Sequence, residues 1–157
     1  MSTLSQNNMK KHRKPLKLES FLPYRLSLLS NTVSSNIAAT YQDKFGISMP
    51  EWRIMAILAE YPDISADEVC QRTRIEKSVV SRAVARLLAR HLLGRTFDES
   101  DKRRSSLCLS ETGLTVYDEV MPIAESFEKK LIEKLTKEER LSLSILLDKL
   151  QNEAEIK

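Results

Sequence analysis

The chain has 157 residues, 30% charged and 6% aromatic, a balance that suits one mainly helical domain with oligomerisation arms better than a sandwich or barrel. No run reaches the roughly 18 consecutive apolar residues of a membrane span, the opening MSTLSQNNMKKHRK lacks the apolar core of a secretory signal, and Cys70 and Cys108 are too few and too far apart for a disulfide framework or a thiol zinc site. The net charge of +3 is unevenly spread: residues 72–104 hold ten Lys/Arg against four Asp/Glu, a net of +6, whereas residues 105–157 hold seven against eleven.

In chain order, residues 1–17 read as a polar, basic arm ending near Pro15. From about Glu19 to Lys44, Leu22, Leu26, Leu29, Val33 and Ile37 recur at three- and four-residue steps, the period of an amphipathic helix. Pro23 suits its start or a kink, and Gly46 its stop. Ser48 with Glu51 spells a capping box, Pro50 fits the first turn, and Pro62 ends the helix so begun. Ser65 with Glu68 opens a second, shorter helix.

The next stretch, 76-EKSVVSRAVARLLAR-90, is unusual. On a helix, Val80, Ala83, Val84, Leu87 and Leu88 form an ordinary core face. The opposite face combines Ser78, Ser81, Arg82, Ala85, Arg86 and Ala89, with no acid after Glu76. Beyond Gly94 the period changes: 95-RTF-97 and 105-SSLCL-109 read as two short strands around the polar tip DESDKRR. A helix then runs from Ser110 to about Leu135, with Pro122 a candidate kink. Thr136 with Glu139 caps a last helix bearing Leu141, Ile145, Leu146 and Leu150.

Three helices followed by a hairpin make a winged helix-turn-helix, so the fold class is mainly α with flanking dimerisation helices. The expected boundaries are 1–17 for the arm, 18–46 for a dimerisation helix, 47–110 for the winged helix-turn-helix and 111–157 for the C-terminal dimerisation helices. The outer helices carry apolar stripes that so small a middle domain could not cover, which points to a homodimer. In this layout the 76–90 helix enters the major groove. Its alanines permit close approach, Ser78 and Ser81 can reach phosphates or base edges, and Arg82 and Arg86 can reach guanine O6 and N7. The basic block would attract polyanions by counterion release. The candidate DNA-binding residues are Lys77, Ser78, Ser81, Arg82, Arg86, Asp101, Arg103 and Arg104, with Asp101 placed to orient Arg103 for a minor groove. Taken alone, the tip is an ordinary polar turn, and the basic face a solvated one.

The run from Gly46 to Gly113 resembles the MarR family of bacterial winged-helix regulators. The resemblance rests on 50-PEWRIMAILAEYP-62, 65-SADEVCQRTRIEKSVVSRAVARL-87, Asp101 with Arg103, and 109-LSETG-113. Leu109-Ser110 replaces the commoner Leu-Thr, and His91-Leu92 the usual Lys/Arg-Gly. The resemblance implies a homodimer on a palindromic double-stranded operator, most often a repressor, released by a small aromatic carboxylate or phenolic effector. The stretch 22-LPYRLSLLSNTVSSNIA-38, with PEWR and SRAVARL, looks like the branch controlling aromatic-acid catabolism. For such an effector the candidate residues are Arg25 for the carboxylate, Leu29, Ser30 if buried, and Trp52 with Met55 as an apolar wall. The plainer alternatives are a Ser30 bond to the preceding turn, a core role for Trp52 and an internal carboxylate partner for Arg25.

No cofactor, metal site or membrane attachment is expected, and the location expected is the cytoplasm. Phosphate-cradling, metalloprotease and nucleophile-elbow motifs are missing, so an enzyme is not expected. Packing roles are expected for both cysteines. The competing reading is a ligand-independent winged-helix module that binds DNA architecturally or serves as a protein adaptor.

Overall fold

The computed structural model describes residues 14–155. Most of the expected basic arm therefore lies outside the described residues. The chain divides into two compact units, Met1–Asn36 and Ile37–Lys157.

The first unit holds a 3-10 turn, Leu18–Ser20, and the start of helix α1, Leu22–Phe45. Pro23 lies in the first turn of α1, where its missing N–H costs no bond. None of the described residues of this unit is buried; Phe21, Leu22, Tyr24, Leu26, Leu28 and Leu29 all stand exposed.

The second unit is ordered around α2 (Met49–Glu60), α3 (Ala66–Thr73), α4 (Lys77–Ala89), strands β1 (Leu93–Phe97) and β2 (Ser105–Leu109), α5 (Glu111–Ile132) and α6 (Lys137–Glu155). All three expected capping boxes are present: Ser48–Glu51, Ser65–Glu68 and Thr136–Glu139 each exchange two bonds between side chain and backbone. The strands pair antiparallel, Leu93 opposite Leu109 and Phe97 opposite Ser105; β1 starts two residues earlier than the β-like run RTF suggested, and β2 spans the expected 105–109. Gly94 is accordingly a strand residue and not a boundary. The α2–α3 connection adds a bridge to the hairpin, Leu107 N–H donating to the Ile64 carbonyl at 2.8 Å.

The core of this unit joins Tyr41 of α1, Ile54, Met55 and Leu58 of α2, Val69 of α3, Val80, Val84 and Leu87 of α4, Leu107 of β2 and Val120 of α5. Each such fully buried aliphatic side chain stabilises by about 1.5–3 kcal/mol relative to exposure. Trp52 lies half-buried beside this core between two rings, 5.6 Å from Tyr41 and stacked at 5.5 Å on Tyr117. Helix α5 runs unbroken through Pro122, and α6 buries none of its residues.

Candidate nucleic-acid interface

Helix α4 buries Val80, Ala83, Val84 and Leu87 and leaves Lys77, Ser78, Ser81, Arg82, Ala85, Arg86 and Ala89 exposed. Core and outward faces thus fall where the helical period put them. Its N-cap, Glu76, makes no side-chain cap; instead Ser78 Oγ donates to the Glu76 carboxylate at 3.0 Å.

The ten cations of the basic block differ in what holds them. Arg72 lies over the Tyr61 ring at 3.9 Å. Arg74 pairs with Glu155 at 2.7 Å and Lys77 with Asp67 at 3.0 Å, the latter pairing raising the Lys77 pKa through its hydrogen bond and charge. Both are exposed pairs of little energetic weight. Arg90 turns back to donate to the Gly46 carbonyl at 3.1 Å and to that of Phe45, closing the end of α1. Arg86 Nε donates to Glu51 at 3.1 Å. Arg82, Arg95, Lys102 and Arg103 have side chains with no partner among the described residues. Those four give the block its unsatisfied positive charge.

The tip of the hairpin is a bonded turn. One Asp98 oxygen accepts from the Ser100 N–H at 2.7 Å, from the Ser100 hydroxyl and from the Asp101 N–H at 3.2 Å, and these bonds hold the Asp98 carboxyl below the usual carboxylate range. Asp101 accepts from the Arg103 backbone N–H at 3.0 Å and lies 3.9 Å from Arg104 Nε. The expectation that Asp101 steers the Arg103 guanidinium is thus corrected. The carboxylate binds the Arg103 main chain, because a side chain two residues back reaches the backbone of its own turn first.

Glu51 is the residue that sequence reasoning missed. It was legible as the third position of a capping box, but not as a buried carboxylate only 3% exposed. One oxygen accepts from the Ser48 N–H at 2.7 Å and the other from Arg86.

The candidate effector residues divide between the units. Arg25 and Leu29 line an apolar groove of about 760 Å³ in the first unit, with Leu22, Tyr24 and Leu26. Ser30 is exposed, not buried. In the second unit Met55 is fully buried, and the half-buried Trp52 packs against the rings of Tyr41 and Tyr117. No group of three or more His, Cys, Asp or Glu among the described residues could hold a metal. No helix among them is long and apolar enough to cross a membrane.

A three-helix core, an exposed basic second helix and a β-hairpin beside it define a winged helix-turn-helix of the DNA-binding kind. Residues 45–104 match the model of the MarR family. The HTH-type transcriptional repressor MdtR of Bacillus subtilis is 26% identical over 113 residues, covering 72% of this chain and 73% of that protein. The crystal structure of a MarR/EmrR family transcriptional regulator from Acinetobacter superposes with a TM-score of 0.83 at 29% identity, over 90% of this chain and all of that one. Over residues 45–104 the chain is similar to the MarR-family winged-helix transcriptional regulators. The proteins it resembles are regulators of transcription and not enzymes. Two more distant structures share the fold: MepR of Staphylococcus aureus in a DNA complex (17% identity, TM-score 0.78, 87% and 99% of the two chains), and BpsR of Bordetella bronchiseptica (23%, 0.67, 81% and 98%). The second is described through regulation of its DNA binding by 6-hydroxynicotinic acid.

Proposed function

We propose that the protein is a homodimeric repressor of the cytoplasm that binds a palindromic operator and releases it when a small aromatic carboxylate or phenol binds. The observation that carries the DNA half is the outward face of α4: Arg82 unpaired, Ser81, Ala85 and Ala89 around it, and no acid after Glu76. Residues 47–110 form the DNA-binding part in this reading, with Lys77, Ser78 and Arg104 on phosphates and Arg103 in a minor groove. The helices of 18–46 and 111–157 then form the dimer. The exposed Leu141, Ile145, Leu146 and Leu150 of α6 support that, since a folded chain gains nothing by leaving such a row in water.

The effector half has support from the groove holding Arg25 and Leu29, where a guanidinium sits among apolar side chains. It also has support at the level of the fold from BpsR, whose DNA binding a hydroxylated aromatic acid regulates. The branch controlling aromatic-acid catabolism fits the same chemistry. The effector would act by binding better to a state whose two recognition helices no longer span successive major grooves, about 34 Å apart.

The test is binding to the DNA upstream of the protein's own gene, near physiological salt, with and without hydroxybenzoates and hydroxycinnamates. Tight binding released by one of these acids is expected. Tight binding indifferent to all of them removes the effector half; no specific binding leaves the architectural or adaptor module.

A further inference from the structure

We infer that Glu51 is a positioning residue for DNA reading: it holds the Arg86 guanidinium by Nε and leaves the two terminal nitrogens as a preset fork for one base edge. The inference rests on the proposed role of α4 as the helix that enters the major groove.

Three capping boxes in one chain supply an internal comparison. Glu68 and Glu139 occupy the same third position as Glu51, remain exposed, and bond only within their own boxes. Capping a helix therefore needs neither burial nor a partner on another element. Glu51 has both: it is 3% exposed, and its second oxygen reaches across to α4 and Arg86 Nε at 3.1 Å. A carboxylate so enclosed requires a cation with good geometry, and Arg86 is the one that bonds to it. Yet the Arg86 side chain is itself 53% exposed, and its terminal nitrogens make no bond among the described residues.

An arginine normally loses much rotamer freedom when it docks on a base. Bound at Nε, Arg86 has given up that freedom in the free protein, which is how preorganisation improves binding. Arg82, one turn earlier on the same face, has no partner and must be ordered on contact. One helix face thus carries a preset arginine and a free one. The preset fork tolerates fewer base edges, because its position is set by α2 and not by the DNA.

Glu51→Gln separates capping from positioning. Glutamine suits the third position of a capping box, but its amide lacks a charged second oxygen for Arg86. Relative affinities are measured for every single-base variant of the duplex selected from a random library, using wild type, E51Q, R86A and the double variant. In E51Q, preference at one base pair per half-site is expected to fall about tenfold, with other positions unchanged and no further loss when E51Q is added to R86A. A wild-type profile in E51Q, a uniform loss at all positions, or an equal loss in the R86A background overturns the inference. A wild type with no base preference removes the DNA reading along with it. If E51Q does not fold, Arg86→Lys, which keeps the charge but has no guanidinium fork, must lose the same preference; retention overturns the inference.

Discussion

Burial alone would raise the pKa of Glu51, but the hydroxyl and N–H of Ser48, together with the Arg86 guanidinium, outweigh it and hold the carboxyl below the ordinary range. A depressed carboxylate pKa contributes stability above the unfolded value, about 4.3, and loses it as pH falls through the lower folded value. Urea unfolding of wild type and E51Q is therefore expected to show a difference that shifts against the wild type as pH falls from the unfolded value, about 4.3, through the lower folded value. A constant difference removes the assignment. On α4, Arg82→Ala is expected to cost about 1–3 kcal/mol of discrimination at one base pair, read by the same affinity profile. Gly113 has a steric reason to be glycine: a Cβ there would stand 2.0 Å from the Leu92 carbonyl oxygen, a backbone atom with no flexible end to move. Gly113→Ala is expected to cost about 3 kcal/mol, seen as a lowered melting temperature.

At the scale of elements, α4 ends in a way its residue types do not suggest. Leu92 N–H reaches back to the Leu87 carbonyl at 2.9 Å and His91 N–H to that of Leu88 at 3.0 Å, with Leu87 and Leu92 both buried. That is a Schellman ending, which usually places glycine where His91 stands at φ 56°. Arg74 takes the same left-handed conformation at the end of α3. His91→Gly is expected to raise stability by about 1 kcal/mol, measured by thermal unfolding. Its backbone carbonyl still accepts from Ser110 Oγ, so the junction to the strands is retained.

For the molecule as a whole, the exposed leucines of the first unit and of α6 are the features a second copy would explain. Leu141, Ile145 and Leu146 support no core within the chain, so charges there should spare its fold and break its association. Ile145→Glu with Leu146→Glu is expected to sediment as a monomer with unchanged helical circular dichroism and to lose operator affinity. A dimer that persists in that variant excludes α6 from the interface.

Much of the architecture was legible without coordinates, because its signals are local. Capping boxes involve residues three apart, the helix of 76–90 shows a period that separates Val80, Ala83, Val84 and Leu87 from Arg82 and Arg86, and the DESDKRR tip separates two β-like runs. The basic block and the family resemblance of Gly46–Gly113 follow from the same order of residues. What tertiary structure decided are relations between distant positions: Arg86 with Glu51, Arg90 with Gly46, Ile64 with Leu107, and Trp52 between Tyr41 and Tyr117. Sequence shows that a residue can bond or pack, but only the packing of helices shows what has already satisfied it. That is why the burial of Met55 and the packing of Trp52 on two tyrosines appear only in the fold, and why two arginines of equal standing in the sequence are, in the fold, one held and one free.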